Sequence, residues 1–331
     1  MSDRGLAGAR VLVIGPKTFN YQDEIQRALV RAGATVTFIS DKPSDSPFLK
    51  AAGRIRPRWM WLYADVRFSR WLDTVAPSAV DLVLVIKGEC VSPRFLERLK
   101  RRYPEAEFIL YLWDSLRNVE GTLRKLPFFE RAYSFDSGDC HANPTLRYRP
   151  LFFLENYRGE ASTQTGRGCF FIGTLHGDRP SVIARIVRNS PDVPLDYWLF
   201  IRHEFEFRAR LLVDPALRGL DAARLLRNPM SQNEVREHVA RHGAVLDIEH
   251  PAQVGLTMRT FEALAAGKKL VTTNRNILAH DFYDPARIAV IDRSAPAIDA
   301  AFLATPQPPL PAEFYRRYSL DGWIREILSG E

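Results

Sequence analysis

Residues 244–274 read as a strand, a loop, a helix and a second strand in direct succession. Residues 244–248 are apolar, and the polar loop after them contains Pro251. Apolar side chains recur at helical spacing from Thr257 to Ala266, and Gly267 stands where a helix takes a left-handed stop. In α/β proteins this succession presents a helix N-terminus to phosphate groups. The stretch therefore predicts an α/β fold with an anion-facing loop.

Strands and helices alternate along the rest of the chain, which at 331 residues exceeds what one hydrophobic core usually supports. Strands such as Leu82–Ile86 are apolar on both faces, as parallel strands covered by helices must be. We expect two doubly wound, Rossmann-like domains facing a central cleft. The polar, glycine-rich segment 155–168 predicts a boundary between domain 1–155 and domain 168–305. Residues 306–331 supply a terminal helix, Glu313–Leu328.

Composition narrows the class of protein. The apolar runs are far shorter than the roughly 20 residues of a membrane span, and the first residues have no apolar segment like a signal peptide's. Cys90, Cys140 and Cys169 are an odd number without paired spacing, which favours a reduced, cytoplasmic setting. The net charge of +7 is open to two interpretations, an arginine-rich composition or an anionic partner.

Carboxylates follow several predicted strands of the first half. Glu89 comes after Leu82–Ile86, Asp114 comes after Trp113, and Asp136 and Asp139 follow Phe135. A carboxylate at a strand end can act as the general base for a hydroxyl group. The alternative is that these side chains cap helices or accept backbone amides.

The first strand of the second half ends in Gly173, and Arg179 follows six residues later. Two glycines and an arginine ahead of a helix form a plausible anion cradle, or else an ordinary tight turn. His176 in the same loop is interpreted as structural. Because the sequence has no HExxH motif, Ser-His-Asp elbow or clustered Cys/His set, we predict no obligatory metal site and no bound cofactor.

Basic and aromatic residues are interleaved from Arg54 to Trp71. This pattern is typical of docking on an anionic membrane surface or a phosphorylated acceptor. It would also suit single-stranded nucleic acid, although no nucleic-acid motif supports that partner. The remaining interpretation is a helix that packs its aromatic residues inside. We predict no nucleic-acid partner and a contact with the inner membrane surface through Arg54–Trp71.

The strand–loop–helix–strand stretch of residues 244–274 resembles the corresponding stretch of glycosyltransferases of the two-Rossmann-domain (GT-B) architecture. This class includes the CgeB-like group and the capsule and lipopolysaccharide groups. The resemblance rests on Gly255-Leu256, on Glu262-Ala-Leu-Ala-Ala-Gly267, and on the strand Lys269–Thr273. It implies that Glu262 binds the ribose of a nucleotide sugar, and that the terminal helix Glu313–Leu328 crosses back to the first domain. It further implies that a set of nearby residues meets the donor: Gly173, Arg179, Gly255, Leu256, Thr257, Arg259 and Asn274. His250-Pro251 is similar to a His-Pro pair of transferases that use CMP-activated sugars.

One position departs from the family's pattern. Retaining members often carry a glutamate eight positions before the one matched by Glu262, and that position is Val254 here. Glu249 or Gln253 could reach similar space. Arg259 and Glu262 could also be no more than a surface pair three residues apart on a helix.

The resemblance implies a metal-independent glycosyltransferase that moves a sugar from a UDP, GDP or CMP donor to a cell-envelope glycan or glycolipid. Glu89 or Asp114 would be the base for the acceptor hydroxyl. The setting would be the cytoplasm, with peripheral contact at the inner membrane. Two alternatives stay open, a sugar-nucleotide epimerase of the same architecture and a non-catalytic sugar- or nucleotide-binding module.

Overall fold

The computed structural model describes residues 6–17, 20–42, 57–119, 121–159, 168–201, 211–212, 217 and 220–330, with side chains of 57–60 excluded. The chain divides into two compact units. Unit 1 comprises Met1–Pro150 and Leu320–Glu331, and unit 2 comprises Leu151–Ser319. Most of the predicted linker, residues 160–167, lies outside the described residues.

Unit 1 contains a parallel sheet of six strands in the order β2-β1-β3-β4-β5-β6. The strands are β1 Arg10–Gly15, β2 Thr35–Ser40, β3 Leu82–Ile86, β4 Glu107–Leu112, β5 Arg131–Ser134 and β6 Arg147–Tyr148. The described helices of unit 1 are α1 Tyr21–Arg31, α2 Pro57–Thr74, α3 Pro93–Arg102, α4 Thr122–Lys125, α5 Ser137–Ala142 and, at the C-terminus, α11 Leu320–Ser329.

Unit 2 contains a second parallel sheet, in the order β12-β11-β10-β7-β8-β9. Its strands are β7 Cys169–Thr174, β8 Leu195–Phe200, β9 Leu225–Leu226, β10 Ala244–Asp247, β11 Lys269–Thr272 and β12 Ile288–Val290. Its described helices are α6 Arg179–Asn189, α7 Gln232–Arg241, α8 Met258–Ala265, α9 Ala300–Ala304 and α10 Ala312–Tyr318.

Both sheets are buried through their central strands. All five residues of β3 are buried, as are all four of β10 and all four of β11. Helices such as α3 begin where the sequence supplies a cap: Ser92 accepts a hydrogen bond from the Phe95 amide, and Pro93 occupies the first turn. The predicted architecture of two doubly wound parallel sheets with interleaved helices is confirmed.

Three predicted elements differ in the structure. The sequence predicts a short helix from Gly121 to Arg131, but the structure has a single α-turn, Thr122–Lys125, followed by a 3₁₀ turn. The sequence also predicts a strand from Leu146 to Leu151, of which only Arg147–Tyr148 forms. The terminal helix is two helices, because Ser319 adopts an extended conformation between α10 and α11. Ser319 forms an isolated parallel bridge with Phe153, whose amide donates to the Tyr318 carbonyl at 2.9 Å. A tertiary backbone pairing therefore interrupts a helical pattern that is continuous in sequence.

Among the residues that the structure describes, no helix combines the length and the apolar character that a bilayer crossing requires.

Candidate functional site

Each sheet has one point at which the chain reverses the direction in which strands are added. In unit 2 the strands run outward from β7 to β9 on one side and from β10 to β12 on the other, so the reversal lies between β7 and β10. In unit 1 the reversal lies between β1 and β3. The loops at the carboxyl ends of such strand pairs diverge and leave a crevice in which ligands bind in open α/β sheets. The topology thus selects the loops after β7 and β10, and those after β1 and β3.

At the unit 2 reversal, Arg179 joins the two selected loops. It begins α6 after the β7 loop, and its Nε donates to the carbonyl of Ile248 in the β10 loop at 2.6 Å. Its Nη1 lies 2.8 Å from Nε2 of His176, which fixes the ring nitrogen as the acceptor. Burial lowers the pKa of Arg179, and the carboxylates of Asp247 and Glu249 oppose that effect. A half-buried guanidinium beside a helix N-terminus suits an anionic ligand.

Gly173 packs closely against two side chains on this side of the sheet. A Cβ at this position would lie 2.8 Å from Cζ of Phe171 and 3.4 Å from Nη1 of Arg179. A side chain would therefore push against the Phe171 ring and the guanidinium. The second loop glycine, Gly177, has a φ of +57°, a conformation that glycine adopts at little cost.

Arg293, in the turn after β12, contacts residues from the loops after β7, β10 and β11. It forms a two-pronged pair with Asp178, with Nε–Oδ2 2.8 Å and Nη2–Oδ1 2.7 Å, and its Nη1 lies 2.5 Å from Oε1 of Glu249. Thr273 also donates to Glu249. The hydrogen bonds to Arg293 hold the pKa of Asp178 below its usual range, whereas burial raises the pKa of Glu249 despite Thr273 and Arg293.

The loop between β10 and α8 is held from beneath by Asn274. This buried side chain donates to the carbonyls of Val254 and Gly255, at 3.2 and 3.3 Å, while its oxygen accepts from Asn276. Gln253 also donates to the Gly255 carbonyl, at 3.1 Å. Because Asn274 and Gln253 bind these carbonyls, the conformation of the loop is fixed. Asn274 therefore supports the predicted donor loop rather than extending from it.

The start of α8 is fixed by a buried carboxylate. Asp247, at the end of β10, accepts hydrogen bonds from the hydroxyls of Thr257 and Thr260, both at 2.8 Å. Leu256 is buried beside them and His250 is exposed, its ring centroid 5.6 Å from that of His176. The sequence placed Thr257 among the donor contacts, and its hydroxyl is engaged with Asp247.

The interpretation of Arg259 and Glu262 as a surface pair is wrong. The Glu262 side chain is 1% exposed, and its Oε2 lies 2.9 Å from Nη1 of Arg259. Tyr157 lies against both: burial and the Glu262 carboxylate raise the pKa of its hydroxyl, opposed by a hydrogen bond to Arg259. A buried, ion-paired carboxylate on the first turns of α8 is a specific arrangement, because a lone buried charge would be costly.

At the unit 1 reversal, Lys87 bridges the two candidate bases. Its Nζ lies 3.3 Å from Oε2 of Glu89 and 3.1 Å from Oδ2 of Asp114, and Lys42 lies 3.5 Å from the same Glu89 oxygen. Burial works against ionisation of Glu89, but the two lysines outweigh it and hold its pKa below its usual range. Lys87 itself has a φ of +63°, a conformation that costs an L-residue about 1 kcal/mol and that clusters at functional loops.

Asp41, which sequence reasoning missed, lies under this loop. It follows β2 and is fully buried, and its Oδ2 accepts from the Glu89 amide at 3.2 Å. Burial raises the pKa of Asp41 to about 6, against the nearby charge of Lys42. The buried Lys125 ammonium donates to the Gly88 carbonyl at 2.7 Å, and burial lowers its pKa to about 8. Two buried ionisable groups therefore support the loop that carries Glu89.

Solved structures share this architecture across nearly the whole chain. A glycosyltransferase from Rickettsia africae aligns with a TM-score of 0.56 at 11% identity, over 98% of this chain and 100% of its own. HepE from Anabaena, solved with UDP-glucose, aligns with a TM-score of 0.57 at 10% identity, over 97% and 98%. UDP-GlcNAc 2-epimerase from Methanocaldococcus jannaschii aligns with a TM-score of 0.56 at 10% identity, over 98% and 100%.

No sequence family and no curated protein matches the chain. The structural likenesses show the fold, which is the two-domain Rossmann-like fold of GT-B glycosyltransferases and of the epimerase. The predicted resemblance to the GT-B architecture is confirmed.

Proposed function

We propose that this chain is a glycosyltransferase that transfers a sugar from a nucleotide-sugar donor to a cell-envelope glycan or glycolipid. The observation that carries the proposal is Arg179 at the β7/β10 reversal of unit 2. This guanidinium links the two loops that open a ligand crevice, and it stands at the start of α6. HepE, which shares the fold, was solved with UDP-glucose, and the lipid or glycan acceptor follows from the sequence resemblance.

The chemistry of transfer needs stabilisation of charge on the leaving diphosphate. The Arg179 guanidinium, the N-terminus of α8 and the loop amides of residues 255–257 provide fixed positive potential for that charge. They can do so without a metal ion at the reacting centre. Asp247 and Asn274 hold α8 and its loop in place, so little reorganisation is needed when charge develops.

On the nucleoside side, we assign the ribose to Glu262. The assignment rests on the sequence resemblance together with the burial of this carboxylate on α8. Arg259 Nη1 lies 2.9 Å from Oε2 of Glu262, and a ribose hydroxyl could donate a further hydrogen bond to this carboxylate.

On the acceptor side, the base is drawn from Glu89 and Asp114 at the β1/β3 reversal of unit 1. Both carboxylates are partly exposed and share the Lys87 ammonium. Lys87 and Lys42 hold the pKa of Glu89 below its usual range, so this carboxylate is ionised and can accept a hydrogen bond from an acceptor hydroxyl.

A thermal-shift panel tests donor binding. UDP, GDP and CMP, each alone and as a sugar nucleotide, are added to the wild type, to Arg179→Gln and to Arg188→Gln. Arg188 is exposed on the same helix and loses the same charge, so it is the matched control. We expect one nucleotide to raise the melting temperature of the wild type and the control, and Arg179→Gln to weaken the affinity by roughly 10- to 100-fold.

The unliganded melting temperature of Arg179→Gln separates lost binding from lost folding, because Arg179 also bonds Ile248. No shift of the wild type with any nucleotide or sugar nucleotide would rule out the proposal.

A sugar-nucleotide epimerase is the second candidate, since the epimerase structure aligns as well as the glycosyltransferase structures do. NMR of a UDP-sugar incubated without acceptor distinguishes the two. Conversion of the sugar to its epimer supports the second candidate, whereas an unchanged sugar that is consumed only with acceptor supports transfer.

We also propose that α2 contacts an anionic membrane surface. Leu62, Tyr63 and Val66 are exposed, and with Arg67 and Arg70 they occupy about 140° of the helix surface at about 100° per residue. Residues Arg54–Arg56 of the predicted basic segment lie outside the described residues. A pocket of about 400 Å³ beside the last turn of α2 is lined by Leu72, Asp73, Arg98, Arg101 and Arg102, and Arg98 is paired with Asp73. Apolar side chains flanked by arginines are typical of interfacial helices.

A further inference from the structure

Three potential metal ligands, one from β8 and two from the end of α7, meet at the edge of the unit 2 sheet opposite the selected loops. Asp196 is the second residue of β8, His238 lies in the last turn of α7, and His242 directly follows that helix. Their ligand atoms all lie within 4.8 Å of one another. Because the phosphate-facing loops are at the carboxyl ends of the strands, this cluster is separate from the donor site.

The distances match those between ligands of one small cation. Oδ2 of Asp196 lies 2.9 Å from Nδ1 of His238 and 3.6 Å from Nε2 of His242. Ligands at 2.0–2.1 Å from a tetrahedral zinc ion are about 3.3 Å apart, which falls between these two distances. The histidines are four residues apart, a spacing found in zinc sites.

The hydrogen bond at the far side of His242 determines its tautomer. Its Nδ1 lies 2.6 Å from the carbonyl oxygen of His238, and that oxygen can only accept, so Nδ1 carries the proton. In the neutral ring Nε2 then directs a lone pair at the Asp196 carboxylate. Nε2 of His242 lies 3.6 Å from Oδ2 of Asp196, so the two atoms are placed to bind one metal ion.

The surroundings resemble the outer sphere of a metal site. A histidine ligand usually donates its other N–H to a carbonyl, as His242 does, and a carboxylate ligand is usually hydrogen-bonded in turn. Arg224 donates to Oδ1 of Asp196 and leaves Oδ2 for a single metal bond. The Phe170 ring stacks on both imidazoles, with centroids at 4.9 and 5.6 Å, and so restricts their orientation.

We propose that Asp196, His238 and His242 bind one divalent transition-metal ion of the zinc class, with water completing the coordination. In the metal-bound form His238 is neutral and carries its proton on Nε2. A neutral ring reaches this form by moving its Nδ1 proton to Nε2, and a protonated ring reaches it by losing the Nδ1 proton to solvent. The ion ties the end of α7 to β8 and so has a structural role in unit 2. The proposal is independent of the proposed transferase activity and concerns a site that sequence spacing alone did not reveal.

The test uses the full chain without an affinity tag, stripped of metal by a chelator. Isothermal titration with Zn²⁺ is expected to give one site per chain, and a hundredfold excess over the dissociation constant is expected to raise the melting temperature by about 5 °C. Co²⁺ is expected to give the intense visible absorption of a tetrahedral site. X-ray absorption of the zinc form should show only N and O ligands, which separates this site from the thiol of Cys169.

Two variants localise the site. His242→Gln and Asp196→Asn are each expected to weaken Zn²⁺ binding at least tenfold, while His141→Gln, an exposed histidine of unit 1, keeps wild-type affinity. Wild-type protein that binds no stoichiometric Zn²⁺, or both variants binding as the wild type does, would overturn the proposal. The same holds for sulfur in the zinc coordination shell, a readout that does not depend on either variant folding.

Discussion

Arg293 and Asp178 form a two-pronged ion pair across 115 residues of sequence, with N–O distances of 2.8 and 2.7 Å. The pair joins the turn after β12 to the loop after β7, although β11 and β10 lie between these strands in the sheet. The same guanidinium contacts Glu249, so one side chain fixes the relative position of three loops at the candidate donor site.

Removal of Arg293 should destabilise unit 2. In Arg293→Met the nearly buried Glu249 carboxylate loses its cation, which we expect to reduce the free energy of unfolding by about 2–4 kcal/mol at pH 7. Arg293→Lys keeps the charge but cannot form the two-pronged hydrogen bond to Asp178, and should reduce the free energy of unfolding by about 1 kcal/mol. Urea unfolding of both variants gives these values. Because burial already raises the pKa of Glu249, protonation of this carboxyl should reduce the Met variant's deficit as the pH falls through that raised pKa.

Asp178→Asn is the comparison variant, since Asp178 is the more exposed of the two carboxylates. It should cost less stability than Arg293→Met. An Arg293→Met variant as stable as the wild type at pH 7 would contradict the assignment of Arg293 as the cation that holds these loops.

One of the carboxylates around Lys87 should be essential for transfer. We expect Glu89→Gln or Asp114→Asn, whichever removes the acceptor base, to lower the transfer rate 10²- to 10⁴-fold, and the other to lower it less than tenfold. Neither change should affect the thermal shift with donor, because both residues belong to unit 1. Release of the nucleotide from the donor in the presence of acceptor measures the rate. Equal, small effects of both substitutions would exclude this lysine-bridged pair as the source of the base.

Local patterns in the sequence were sufficient for the architecture. The wholly apolar β3 and the periodic apolar positions of α8 follow from burial on both faces of a sheet and on one face of a helix, so these elements fall within a residue of their predicted ends. Short elements were less predictable. The helix expected from Gly121 ends at Lys125, and the terminal helix breaks at Ser319 because Phe153 pairs with the backbone there.

The composition of the site depended on strand order, which no local pattern encodes. Arg293 reaches the donor loops only because β12, β11, β10 and β7 lie side by side in that order. Asp41 joins Glu89 because β2 and β3 flank β1. The burial of Glu262 likewise depends on Tyr157, from a segment 105 residues earlier, covering a helix face that the sequence marked as polar. The spacing of His238 and His242 was visible in the sequence, but Asp196 was not connected to it.

Asp41 should make the stability of unit 1 depend on pH. Its pKa is about 6 in the folded chain and about 3.9 when unfolded, so between these values the folded chain holds a proton that the unfolded chain has released. This contribution is fully present below about pH 4 and is lost as the pH rises through about 6. Asp41→Asn removes the titration, and its stability should vary less across this window by on the order of 1–3 kcal/mol.

Chemical denaturation at intervals from pH 4 to pH 7 measures the difference. Asp73→Asn, which changes an exposed carboxylate paired with Arg98, is the control and should follow the wild-type pH profile. If Asp41→Asn also follows it, the buried carboxyl is not the titrating group.

The exposed face of α2 should bind anionic vesicles. Wild-type protein is expected to sediment with phosphatidylglycerol-rich vesicles and not with pure phosphatidylcholine, and added salt should weaken binding as it screens the arginines. A Leu62→Glu/Val66→Glu variant places two carboxylates where apolar side chains would enter the interface, and should bind at least tenfold more weakly. Val187→Glu, an exposed position on α6 of unit 2, is the control for added negative charge.

Arg67→Gln/Arg70→Gln should reduce the salt dependence while retaining part of the affinity, because the apolar contact is kept. Undiminished sedimentation of the Leu62/Val66 variant would show that another surface carries the attraction to anionic lipid, since Leu62 and Val66 would then contribute no apolar contact.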